Sequence, residues 1–217
     1  MSYNIDHYYG ASVPLERERI QLQDFDHKDI FMDRVWKCYP NIDNDEILRE
    51  CYDSHNHLPG TNRSNMGGWQ SEVRPLTSTV FRGALRNIYD LGCMAVEFAN
   101  ECMNNINSDC DFDISGAHLW VNMNHDYSYN VIHSHPGADL IVLYYPLYEG
   151  EEQGQLRLVR TDGSVHVNTY MGTELSMEHV PDIEEGAFIA FPPHLLHYVT
   201  PNMSGRDRVS ISFNMSQ

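Results

Sequence analysis

Residues 131–147 read VIHSHPGADLIVLYYPL. The second half, from Leu140 to Leu147, is an apolar run of strand length, rich in branched and aromatic side chains. The first half places His133 and His135 two residues apart, and Pro136-Gly137 then breaks the chain. In a strand, residues i and i+2 face the same side. Both imidazoles therefore leave one face at a strand end, where a turn opens the site to water. That is a way to present two metal ligands. His-x-His also arises by chance in a chain with 12 histidines, and His55 and His57 repeat the spacing in a polar loop.

Downstream of residue 113 the sequence is a succession of short runs: GAHLWVNM, YNVIHSH, DLIVLYYPL, GQLRLVRT, SVHVNTYM, GAFIAFP, HYVTP and VSISFNM. Gly, Pro, Asn and Asp punctuate them. Regular short strands predict an all-β barrel or sandwich, and eight are what a jelly roll requires. Upstream, the pattern predicts a short helix near residues 26–40 and a second over 43–55, with Asp43 or Asn44 as cap. A long helix is expected over 78–105, where Phe81, Leu85, Ile88, Leu91, Ala95, Phe98 and Met103 form one apolar stripe. These helices would cover one face of a sheet. The expectation is a single, mainly β domain over 1–217. Residues 1–65 form an irregular and helical N-terminal region, 66–112 a loop and supporting helix, and 113–217 the jelly-roll core.

The composition is that of a globular protein, 41% hydrophobic and 21% charged. The formal net charge is −17, from 31 acidic against 14 basic residues. Such a balance speaks against nucleic-acid binding, which needs a basic footprint, and against docking on anionic membranes. No apolar run approaches the length that spans a bilayer. The five cysteines are odd in number and lack Cys-x-x-Cys spacing, so neither a disulfide framework nor a thiolate zinc site is expected. MSYNIDHYYG lacks the features of a signal peptide, and a cytoplasmic protein is expected. An edge strand could pair two copies into a homodimer.

Two further residues stand out. His197 begins a strand after a Pro-Pro turn, in GAFIAFPPHLLHYVTPN. A jelly roll can bring it beside His133 from the opposite sheet. Arg208 heads RVSISFN, where Val209, Ile211 and Phe213 alternate with Arg208, Ser210, Ser212 and Asn214. A buried arginine needs an anionic partner, either one of the protein's own carboxylates or a bound ligand. His194 reads as a turn residue. His118 and His166 read as ordinary strand histidines. Trp69 and Gln70 either line a cleft or plug the barrel end, and Asn122 and Asn130 either orient ligands or cap turns.

Taken in order, GGWQS (67–71), WVN (120–122), HSHPG (133–137), LIVLYYPL, GQLRL, GAFIAFPPHLLHYVTP and RVSISFN (208–214) resemble the Fe(II)- and 2-oxoglutarate-dependent oxygenases. The resemblance is to the prolyl-hydroxylase-like branch, and within it to small oxygenases of marine bacteria and phages. It covers roughly residues 65–217. It implies a double-stranded β-helix that uses Fe(II), 2-oxoglutarate and O2, and hydroxylates a small molecule or a protein side chain while 2-oxoglutarate becomes succinate. Carried over by position, His133 and His197 match iron ligands. Arg208 matches the residue that holds the distal carboxylate of 2-oxoglutarate. Tyr144 matches a tyrosine that touches that carboxylate, and Ser210 lies on the same face as Arg208.

The departure is at position 135, where the superfamily carries Asp or Glu. Three arrangements are open: His135 ligates, Asp139 swings back as the carboxylate, or water fills the place. The i, i+2 geometry favours His135, and imidazole suits Fe(II). Two other readings compete. One is a cupin-like metalloenzyme that does not use 2-oxoglutarate; the other is a jelly-roll binding protein without catalysis.

Overall fold

Strand-forming runs and turn residues alternate through the C-terminal half, and they assemble as two antiparallel sheets face to face. The computed structural model describes residues 33–106, 108–159, 169–170, 173–174 and 178–217. Within it, Asp33–Gln217 form one compact unit. The strands are β1 (Trp36–Cys38), β2 (Asn65–Met66), β3 (Trp69–Gln70), β4 (Arg74–Pro75), β5 (His118–Asn124), β6 (Tyr129–His133) and β7 (Leu140–Leu147). They continue with β8 (Leu156–Val159), the short pair β9 (Thr169–Tyr170) and β10 (Thr173–Glu174), then β11 (Glu178–His179), β12 (Phe188–Phe191), β13 (Leu196–Val199) and β14 (Arg208–Met215). The helices are α1 (Asn44–His57), α2 (Thr79–Arg82) and α3 (Arg86–Asn105). The major sheet runs β1-β12-β7-β14-β5-β3, with β4 also on β5, and the minor sheet runs β11-β8-β13-β6-β2. This is the jelly roll expected from the sequence.

Strand alternation divides the core into two layers. On β7, Leu140, Val142 and Tyr144 pack with α1 and α3, whereas Ile141, Leu143 and Tyr145 face the minor sheet. On β14, Val209, Ile211, Phe213 and Met215 join the helix-side layer. That leaves Arg208, Ser210, Ser212 and Asn214 between the sheets, as the polar alternation predicted. Gly68 lets β3 lie against β5, since a Cβ there would sit 2.5 Å from the Met123 carbonyl oxygen.

Three helix expectations meet different outcomes. Asp43 caps α1, its carboxylate accepting from the backbone N–H of Asp45 (3.1 Å) and Glu46 (3.3 Å). The single helix over 78–105 is instead two, broken at Gly83–Leu85. Glycine is a poor interior helix residue, and a new helix start is fixed by Glu50, a residue 3% exposed on α1. Its carboxylate accepts from Asn87 N (3.0 Å), Asn87 Nδ2 (2.7 Å) and Ile88 N (2.8 Å). The helix expected near 26–40 lies partly outside the described residues. The described part is an edge strand, Trp36–Cys38, pairing with β12. Replacing Glu50 with alanine strands two backbone donors at the α3 start. We expect a loss of about 3 kcal/mol, from 1–3 kcal/mol per unsatisfied buried group, read by chemical denaturation. A change below about 0.5 kcal/mol would show that α3 does not depend on this cap.

All five cysteines are free thiols. No helix among the described residues is long and apolar enough to cross a membrane.

Candidate metal centre

His133 closes β6, and His197 is its direct partner across the ladder on β13. The two are neighbours within one sheet, not residues of opposite sheets as the sequence separation suggested. His135 follows just beyond β6, its backbone N–H donating to Pro193 O (3.1 Å). The turn after it needs Gly137 at φ +90°. The ring centroids lie 4.2 Å (His133–His197), 4.9 Å (His135–His197) and 5.2 Å (His133–His135) apart. Each ring offers one nitrogen, and these lie within 4.8 Å of one another.

The other ring nitrogen is occupied in each case. Nδ1 of His133 meets Val131 O (2.7 Å), and Nδ1 of His197 meets Leu195 O (2.9 Å). Carbonyl oxygens only accept, so both Nδ1 atoms carry the proton and both Nε2 atoms are bare. Nδ1 of His135 meets Asn214 Oδ1 (2.7 Å), which fixes the same tautomer. Burial lowers the pKa of all three, that of His197 to about 3. The result is three neutral imidazoles with converging lone pairs and no proton to share. That donor set suits Fe(II), and each ring is held through its second nitrogen.

Arg208 stands at the head of β14, in the same cleft. It is 2% exposed. Among the described residues its guanidinium has no ion pair, and Nε is buried without a partner. The guanidinium lies 5.0 Å from the centroid of the Tyr145 ring and 5.9 Å from that of Tyr148. Burial pushes the Tyr145 phenol up to about 12, against the pull of Arg208. Ser210 lines the cleft, and Ser212 accepts from Asn122 Nδ2 (3.1 Å).

Several sequence expectations meet a different geometry. Tyr144 points to the helix side of β7, donating its hydroxyl to Asn44 Oδ1 (2.8 Å). Tyr145, one residue on, is the tyrosine that meets Arg208. Asp139 is exposed and accepts from the Gln217 backbone N–H (3.0 Å), away from the three rings. Neither Asn122 nor Asn130 reaches a histidine. Asn130 donates to Ser64 Oγ (3.2 Å) and accepts from Asn124 Nδ2 (3.0 Å). Asn214 is the orienting amide, and the alternation that places Arg208 inward places it inward too. His194 pairs with Asp33 at the surface (2.9 Å). His55 is half-buried with its ring 5.2 Å from that of Trp69, rather than solvated. Trp69 itself packs against the main core, and Gln70 lines a groove. His166 lies outside the described residues.

Residues 118–214 match the family model described as "Putative 2OG-Fe(II) oxygenase". The match spans 97 residues, under half of the 217, and likens this stretch to the 2OG-Fe(II) oxygenase superfamily. Members of this superfamily use Fe(II), 2-oxoglutarate and O2. Solved structures share the oxygenase fold at low identity. A Pseudomonas putida prolyl-4-hydroxylase matches with TM-score 0.55 and 14% identity, covering 84% of this protein and 92% of that one. The epimerase SnoN from nogalamycin biosynthesis, described as non-heme and alpha-ketoglutarate dependent, matches with TM-score 0.58 and 13% identity, covering 85% and 79%. HygX from Streptomyces hygroscopicus, solved with nickel and 2-oxoglutarate bound, matches with TM-score 0.51 and 11% identity, covering 83% and 82%. No curated protein sequence matches.

Proposed function

We propose that this protein is an oxygenase that holds Fe(II) through Nε2 of His133, His135 and His197, anchors 2-oxoglutarate through Arg208, and hydroxylates its substrate. The observation that carries the reading is a buried arginine without a counter-charge among the described residues, in the same cleft as three neutral imidazoles. A lone buried cation is costly, and a dicarboxylate would supply what it lacks. The cupin-like alternative gives Arg208 no role.

In this reading the three histidines bring no charge, so the two carboxylates of 2-oxoglutarate face two cations, one the metal ion and the other Arg208. The Arg208 fork holds the far carboxylate, and the Tyr145 hydroxyl donates to it. Ser210 and Ser212 keep the floor polar, while Leu143, Leu156 and Val199 exclude water. Fe(II) and 2-oxoglutarate, when bound, would let O2 serve as the oxidant, one oxygen atom going to the substrate and the other to succinate as 2-oxoglutarate loses carbon dioxide. Asp139 plays no part at the metal. The free thiols support a reducing, cytoplasmic setting.

The two adjacent tyrosines provide a paired test. Tyr145→Phe should weaken 2-oxoglutarate binding about tenfold, the value of one hydrogen bond to a charged group. Tyr144→Phe should leave that affinity unchanged and cost about 1 kcal/mol of stability, because Asn44 loses a partner. Calorimetric titration of 2-oxoglutarate into the metal-loaded variants reads the affinities, and chemical denaturation reads the stability. Equal effects on affinity would remove Tyr145 from the site.

A further inference from the structure

Beside the histidine cleft lies a groove that shares His133 and His135 with it, and whose walls carry Arg63, Gln70, Val73, Trp120 and Val131. None of its described lining residues is a carboxylate, in a protein of net charge −17. Among them Arg63 is the one side chain of permanent charge. It is exposed and makes no ion pair or side-chain hydrogen bond with a described residue. Gln70 is only 3% exposed, yet its side-chain amide has no hydrogen-bond partner among the described residues. Its position is fixed, because β3 pairs it with Asn122. The amide atoms are open to the groove rather than sealed in the core, and present one acceptor and two donors to whatever enters. Trp120 supplies an aromatic wall, and Val73 and Val131 are 43% and 39% exposed, an apolar surface facing water.

We propose that this groove binds the substrate, and that the substrate is an apolar amino acid with a free carboxylate and an acylated nitrogen. The carboxylate meets Arg63. The secondary amide, with one donor and one acceptor, pairs with Gln70. The apolar side chain rests on Trp120, Val73 and Val131, beside His133 and His135. The inference rests on the oxygenase reading, in which one aliphatic C–H bond of that side chain is replaced by C–OH. One atom of O2 enters the new bond, and the other ends in succinate as 2-oxoglutarate loses carbon dioxide. The same chemistry is found in a small N-acyl amino acid and in the C-terminus of a peptide.

The test uses the full-length protein loaded with Zn(II) and 2-oxoglutarate, and saturation-transfer NMR of two probes. N-acetyl-L-leucine carries the carboxylate, and its methylamide does not. The acid should bind about tenfold tighter, as expected for a charge-assisted bond partly open to solvent. Arg63→Ala should erase that preference by weakening the acid alone, and Arg63→Glu should reverse it. Both changes are at an exposed side chain, so the fold is not at stake. An acetylated tripeptide ending in leucine separates the two sources: tighter binding than N-acetyl-L-leucine points to a peptide terminus, equal binding to a small molecule. No binding of either probe, or a preference that survives Arg63→Ala, overturns the proposal. Calorimetry of 2-oxoglutarate on the same samples reports separately on the cosubstrate, so a failure of the oxygenase reading is told apart from a failure of the groove to bind.

Discussion

Arg208→Ala is expected to lower 2-oxoglutarate affinity by roughly 2–5 kcal/mol, the usual cost of truncating one partner of a buried charge pair. That corresponds to about thirtyfold to several thousandfold. Metal affinity without 2-oxoglutarate should be retained, because Arg208 holds none of the three rings. A second consequence separates binding from structure. In the structure this guanidinium is 2% exposed and has no counter-charge among the described residues. Exchanging it for methionine therefore removes an uncompensated charge and fills the space with an apolar side chain. Arg208→Met should be at least as stable as the parent in thermal unfolding. Unchanged 2-oxoglutarate affinity, or a marked loss of stability in the methionine variant, would show that Arg208 serves the fold instead.

His197→Ala is expected to have the other large effect, a loss of metal affinity greater than about a hundredfold. The expectation follows from scale. Partners that merely orient a ligand are worth roughly 10–100-fold, and His197 is proposed as a ligand itself. Asn214→Ala should fall in that lower range, since it frees the His135 ring while leaving all three imidazoles in place. His135→Asp should retain metal, because it restores the carboxylate that the superfamily carries there. Competition with a chromogenic chelator measures all three. Retention of full affinity in His197→Ala would remove the triad as the metal centre.

Much of this is legible in the sequence, and the failures have local physical causes. RVSISFN alternates polar and apolar residues, so its faces can be assigned, and Arg208, Ser210, Ser212 and Asn214 all point inward. LIVLYYPL carries no such alternation because both faces of β7 are buried. With no polar residue to set the phase, nothing in the run corrects the position carried over from the family resemblance, which falls on Tyr144, one residue early, and a shift of one flips a side chain to the other face. The β-edge at Trp36–Cys38 is three residues long, too short to carry a periodicity. The break at Gly83–Leu85 depends on Glu50, a contact across 37 residues that no local pattern encodes. The pairing of His133 with His197 and the bond from His135 to Asn214 are likewise products of the closed sandwich.

The most direct test of the central claim is an anaerobic Fe(II) titration of the full-length protein, followed by 2-oxoglutarate, with the visible spectrum recorded throughout. A keto acid chelated to Fe(II) gives a charge-transfer band, and iron held on three histidines beside Arg208 should produce it. The band should be absent in His133→Ala and should demand far more 2-oxoglutarate in Arg208→Ala. If Fe(II) binds the parent protein but no band forms at any 2-oxoglutarate concentration, the cosubstrate does not reach the metal, and the assignment of this cleft as an Fe(II)/2-oxoglutarate centre is contradicted.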